Sequence, residues 1–187
     1  TLPLPLAQQL IDLGRAHRLA LHLYIGHQAY TEAPTDLSRS LLTRTGIYPH
    51  EVSDLKQVTT SAPYKGLIVH PAADAGSIAV RLAEALDGKL SVFRSFDTLI
   101  EVTSPQVSKG QALATLAGYY GLAQDEVMAI GDQDNDIDMI AWAGVGVAMG
   151  NASPGAKAAA NHIAPPIEAE GAAWAIETFI LEQALAE

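Results

Sequence analysis

The chain has 187 residues, 49% hydrophobic and 17% charged, a composition that suits one large or two small packed domains and excludes disorder over most of its length. Lys and Arg total 11 against 21 Asp and Glu, and the resulting net charge of −10 repels phosphate backbones, which argues against nucleic acid as a partner. The absence of cysteine removes disulfides, thiolate zinc sites and cysteine nucleophiles together. No apolar run reaches the ~18 residues of a membrane span, and no basic segment followed by an apolar stretch marks a signal peptide. A cytoplasmic location is the expectation. The chain opens at Thr1 and not at Met, so an upstream segment is expected to have been removed.

In chain order, Pro3 to Arg18 reads as a helix with Leu6, Leu10 and Leu13 on one face. Leu19, Leu21 and Leu23 alternate with Ala20, His22 and Tyr24, the pattern of a half-buried strand. Thr35 to Thr45 predicts a second helix with Leu37, Leu41 and Leu42 inward and Gly46 at its C-terminal cap. Residues 49–63 are the least regular. Gly66 to His70 predicts a strand, and Ile78, Leu82 and Leu86 mark a helix ending at Gly88. Leu90–Arg94 and Thr98–Val102 predict a hairpin around Ser95, Phe96 and Asp97. The first half is therefore a small α+β module.

A second half begins near Ser104 and Pro105. Ala112, Leu113, Leu116, Ala117 and Tyr120 form a helical stripe. Val127–Ile130 predicts a strand ending in Gly131 and Asp132, Ile137–Trp142 a helix, and Val145–Met149 another buried strand. Ser153 followed by Pro154 is a helix start. A last helix is expected from about 169 to 185, with Ile176, Phe179 and Ile180 as its apolar face; Trp142 and Trp174 are expected in the core. Alternating strands and helices imply a parallel sheet with helices on its faces, an α/β fold class.

The chemistry concentrates in Gly131-Asp132-Gln133-Asp134-Asn135-Asp136-Ile137-Asp138, four carboxylates directly after a buried strand. In parallel α/β sheets ligands bind beyond the carboxyl ends of strands. Carboxylates this close repel unless a cation sits among them, and hard oxygens with open positions suit Mg²⁺. The plainer alternative is an acidic helix start favoured by the helix dipole. An EF-hand is excluded, since Ile137 and Ala143 stand where that loop needs Gly and Glu. Lys109, in Ser108-Lys109-Gly110, stands at a helix N-terminus against the dipole preference, a placement that an anion bound there would explain. The intervening helix and strand bring Lys109 and Asp132 to neighbouring points on one sheet edge. His22 and His27 are weaker candidates for ligand contact.

The run Val107-Ser108-Lys109-Gly110, then Gly131-Asp132-x-x-Asn135-Asp136-x-x-Met139, then Ala148-Met149-Gly150-Asn151-Ala152 resembles the haloacid dehalogenase (HAD) superfamily, and within it the Cof-type sugar-phosphate phosphatases. The resemblance covers about residues 100–185; the first half fits that family's cap by pattern only. It implies an α/β fold: a Rossmannoid core, of which residues 104–187 are the C-terminal part, and a small α+β cap in residues 1–103. It further implies that Asp132 ligates Mg²⁺ and that Asp136 supports the metal shell, directly or through water. By the same resemblance Lys109 holds the phosphate, Asn135 hydrogen-bonds the phosphoryl oxygens, and Asn151 shapes the loop beside the site. The partner implied is a small phosphorylated metabolite. Metal and lysine together suit a reaction that spreads negative charge over phosphoryl oxygens.

One part of the family pattern is missing. The Asp-x-Asp motif that supplies its nucleophile has no counterpart, since the only Asp-x-Asp triplets here fall within residues 132–138. The reading is thus a Mg²⁺-dependent phosphatase fragment, inactive alone, whose Val127–Ile130 strand lacks the neighbour that an N-terminal core segment would supply. Phosphomutases share the general pattern. The alternative reading is a non-catalytic Mg²⁺- and phosphate-binding module, complete as it stands.

Overall fold

A computed structural model describes residues 1–181 and divides the chain into two compact units, Thr1–Gln106 and Val107–Glu187. In the first unit, α1 (Leu4–Ala16) opens with proline in its first turn and buries Ala7, Leu10 and Ile11. It is followed by β1 (Ala20–Ile25), β2 (Gln28–Thr31) and α2 (Asp36–Arg44). Thr35 and Ser38 cap α2 reciprocally, each side-chain oxygen accepting from the other's backbone N–H. Then come β3 (His50–Glu51), α3 (Leu55–Val58), β4 (Lys65–Val69), α4 (Ala72–Leu86), β5 (Ser91–Phe96) and β6 (Leu99–Thr103).

The six strands form one sheet in the order β3-β2-β1-β4-β6-β5, antiparallel except for the β2–β3 pair. Leu21 sits opposite Ile68, and Ile68 opposite Ile100, so all three share a face. That face joins Leu10 and Ile11 of α1 and Ile78, Leu82 and Leu86 of α4 in one core. Each such side chain, fully buried, contributes about 2 kcal/mol.

Three differences from the sequence expectation have local causes. The strands β2 and β3 and the helix α3 are two to four residues long, too short for a period to register. Next, β1 is not half-buried, because Ala20, Leu21, His22 and Leu23 are all buried in an interior strand between β2 and β4. His22 is fully enclosed, and burial lowers its pKa, while His27 is exposed in the β1–β2 turn. The hairpin turn falls at Asp97 and Thr98, since β5 runs through Phe96 past a register irregularity; Arg94 Nη2 donates to Asp97 Oδ1 at 2.8 Å there.

The second unit contains α5 (Lys109–Tyr120), β7 (Met128–Gly131), α6 (Ile137–Trp142), β8 (Val145–Ala148), α7 (Pro154–Ala159), β9 (His162–Ile163) and α8 (Gly171–Ile176). Its sheet is parallel, ordered β7-β8-β9. Ile140, Val147, Ala148, Ala156, Ala164 and Ala175 form its core. The α8 helix passes into a π-helical turn at Glu177–Leu181; the rest of the helix expected to 185 lies outside the described residues.

Two apolar faces read from the sequence are buried only in part. On α5, Ala117 of the expected stripe is buried, but Leu116 is 52% exposed and Tyr120 67%; the helix meets the start of α6 at Gly110. Ile176 and Ile180 are also exposed, and Trp174 is 37% exposed; of the last helix's expected face, Phe179 packs on His162 and edge-on against Trp174. Trp142 is half-buried. Among the described residues β7 pairs with β8 alone, so its other edge is free.

Within the first unit, Arg15 bridges Glu32 and Asp54, and Glu32 also accepts from the Leu55 amide. The Arg15 guanidinium holds the Glu32 carboxyl below its usual range, against the opposing effect of burial. A carboxyl depressed in the folded state stabilises fully above its unfolded value of about 4.3 and stops doing so as pH falls through the folded value. The urea midpoint is therefore expected to drop between about pH 5 and pH 3, and Glu32→Gln to flatten that drop and cost about 1 kcal/mol at pH 7.

Candidate active site

The site is built in the second unit by the N-terminus of α5 and the loop after β7. Ser108 caps α5, its hydroxyl accepting from the Gln111 amide at 3.2 Å, which fixes Lys109 as the first helical residue. Gly110 follows because nothing larger fits: a Cβ there would lie 2.8 Å from the Asp138 backbone at the start of α6. The Lys109 ammonium forms an ion pair with Asp136 Oδ1.

Asp136 is the pivot of the loop. It is 3% exposed. Its Oδ2 accepts from the backbone amides of Asp132 at 2.9 Å and Gln133 at 3.0 Å, folding the chain back on itself directly after β7. Gly131 makes room for this return, since a Cβ there would stand 2.5 Å from the Asp136 Cβ. Burial raises the Asp136 pKa, but the Lys109 ammonium and the two amides outweigh it and hold the carboxyl below its ordinary value.

Three of the four carboxylates therefore take different partners. Asp136 turns inward to Lys109. Asp134 Oδ1 accepts from the Ser153 hydroxyl at 2.6 Å. Asp132 Oδ2 accepts from Gln133 Nε2 at 3.1 Å, and its backbone carbonyl accepts from the Ser153 amide at 2.8 Å. The cation that the sequence required among them is supplied by Lys109 itself, and its partner is Asp136 and not Asp132. Clustering alone thus gives no argument for a metal.

The argument for a metal rests on the remaining oxygens. The Asn135 side-chain oxygen is buried without a hydrogen-bond partner, an arrangement that costs about 1–3 kcal/mol unless a ligand satisfies it. Asp132 is half-buried and has one carboxylate oxygen without a protein donor. Both are hard oxygen donors of the type Mg²⁺ takes, one or two protein groups completed by water and substrate. Among the described residues no three carboxylate or imidazole side chains converge, so the chain offers an open part of a shell and no closed cage.

Asn151 stands after β8, where its Oδ1 accepts from the Ile167 amide at 3.0 Å and ties the turn beyond the strand in place. The sequence reading missed Ser153 as a site residue. Its hydroxyl caps α7 through the Ala156 amide at 3.2 Å and also reaches Asp134, so the Ser-Pro helix start was the available signal.

A family profile described as haloacid dehalogenase-like hydrolase matches residues 1–176. A Haemophilus influenzae protein named "Putative phosphatase" is 34% identical over 164 residues, covering 85% of this chain and 62% of its own length. The crystal structure of a haloacid dehalogenase-like hydrolase from Bacteroides thetaiotaomicron is 33% identical, with a TM-score of 0.81 over 94% of this chain and 66% of that one. A HAD subclass IIB sugar phosphatase shares the fold at 18% identity, with a TM-score of 0.80 over 95% of this chain and 67% of that one. The chain thus spans about two thirds of the length of each of these three proteins.

Removing either member of the Lys109–Asp136 pair leaves a charge uncompensated. Lys109→Met is expected to cost about 2 kcal/mol in urea denaturation, less than a fully buried pair because Lys109 is half exposed. The double variant Lys109→Met/Asp136→Asn should recover part of that loss.

Proposed function

Because the chain belongs to the haloacid dehalogenase-like hydrolases, we propose that it carries the Mg²⁺- and phosphate-binding part of a cytoplasmic phosphatase acting on small phosphorylated metabolites such as sugar phosphates. In this reading residues 104–187 are the C-terminal part of the Rossmannoid core, residues 1–103 are the cap, and the aspartate nucleophile comes from a core segment outside this sequence. The observation that carries it is the loop itself: a buried Asp136 holds Lys109 while Asp132 and the unpartnered Asn135 oxygen remain available.

Each residue then has a physical task. Lys109 presents its remaining N–H donors to the phosphoryl oxygens and offsets their charge. Asp136 keeps that ammonium in place and closes the loop, acting on the metal shell only indirectly, since both its oxygens are engaged. Asn135 donates through its amide nitrogen to the phosphoryl group. Asp132 and the Asn135 oxygen would hold Mg²⁺, which supplies charge neutralisation and orientation of the phosphate. Asn151 and Ser153 hold the neighbouring turns. The free edge of β7 and the exposed stripe of α5 are the surfaces on which a missing core segment would pack.

In a protein joining this chain to its upstream core segment, Asp132→Asn is expected to slow hydrolysis of p-nitrophenyl phosphate by about a hundredfold or more. Unchanged turnover would refute the assignment. A second reading, a non-catalytic module binding Mg²⁺ and phosphate, is favoured by one observation, the lack of any Asp-x-Asp outside residues 132–138. Under that reading the upstream segment adds no phosphatase activity, while the 187-residue chain still binds Mg²⁺ and phosphate in titration.

A further inference from the structure

The first unit contains a cavity of about 460 Å³ between the C-terminal end of α1 and α4. Its rim carries Arg18, Arg81, His17 and His70, with Asp74 as the single carboxylate. Its apolar floor includes the buried Leu19, Ile78 and Leu82. Among the described residues neither Arg18 nor Arg81 forms an ion pair, although the chain carries 21 acidic residues and a net charge of −10.

Among the described residues the cationic lining is not balanced by ion pairs. Basic groups at a helix C-terminus complement its dipole, which accounts for His17. It does not account for Arg81, which stands on α4 facing the same space without an acidic partner. Arg18 follows the C-cap of α1, and its left-handed backbone at φ 52 is the helix-ending conformation that the Leu19 amide closes by donating to the Gly14 carbonyl; its guanidinium, like that of Arg81, has no acidic partner among the described residues.

We propose that this cavity is a second anion site, distinct from Lys109 and Asp132, that binds a small phosphorylated metabolite. Two guanidinium forks and two imidazoles offer more donors than the two oxygens of a carboxylate can accept; a phosphate monoester dianion, with three terminal oxygens, matches them. The volume exceeds that of a bare phosphate and falls within the range of small-molecule sites. An organic body therefore lies over Leu19, Ile78 and Leu82, and Asp74 accepts hydrogen bonds from its hydroxyls. A polyhydroxylated phosphate ester satisfies every group on the rim.

The test uses the full chain and inorganic phosphate, titrated against chloride at constant ionic strength, with the ring protons of the histidines followed by NMR. Phosphate is expected to shift His17 and His70 while leaving His27 and His162 in place. Arg18→Gly relieves the positive φ and so keeps the fold while removing the guanidinium. It and Arg81→Ala are each expected to weaken the response at His17 and His70 about tenfold. Lys109→Met, which removes the candidate active-site lysine, should leave that response intact, separating the two sites. The proposal is overturned if phosphate does not move His17 and His70, if both arginine variants respond like the parent, or if Lys109→Met abolishes the effect.

Discussion

The candidate active site depends on one ion pair, between a helix-initiating lysine and a nearly buried aspartate. Asp136 has two oxygens and uses each for a different purpose. One takes the charge of Lys109; the other gathers the amides of Asp132 and Gln133. A single carboxylate therefore sets both the cation and the backbone path of the acidic loop. The positions of Asp132, Asn135 and Lys109 relative to each other follow from that one side chain, whose carboxyl is held below its ordinary range against burial by the ammonium and the two amides.

Steric exclusion reinforces this electrostatic arrangement. Gly110 lets α5 lie against the start of α6, and Gly131 lets the loop return over the end of β7. The neighbour that a Cβ would strike is the Asp138 backbone at the start of α6 in one case and Asp136 itself in the other. These glycines are needed for close approach and not for a left-handed turn, as neither has a positive φ.

The site was legible in the sequence because its residues lie in short runs with fixed spacing, and the elements carrying them, β7, α6 and β8, are regular enough to read. The specific pairing was not legible, because Lys109 could reach several of four nearby carboxylates and only the backbone return at Gly131 selects Asp136. Elements of two to four residues, such as β3 and β9, take their existence from a neighbouring strand and leave no pattern of their own. Helical periodicity judged α5 only in part: of the stripe Ala112, Leu113, Leu116, Ala117 and Tyr120, Ala117 is buried while Leu116 and Tyr120 are exposed, and the contact at Gly110 decides which side of the helix start meets α6. Alternation likewise missed the burial of His22, which lies between Thr31 of β2 and Leu67 of β4, both themselves buried.

The depth of Asp136 also governs how the site meets its ionic surroundings. The Arg39–Glu51 pair has both partners about half exposed, and mobile ions gather around such charges and dissolve their attraction. Asp136 is shut away from those ions on its own side, and its second oxygen is bound to backbone that no electrolyte displaces. Concentrated salt therefore loosens the surface pairs of the first unit well before it loosens the hinge of the acidic loop. The loop keeps its shape in brine, while the exposed side of Lys109, the part that faces an incoming anion, still feels every competing ion in solution.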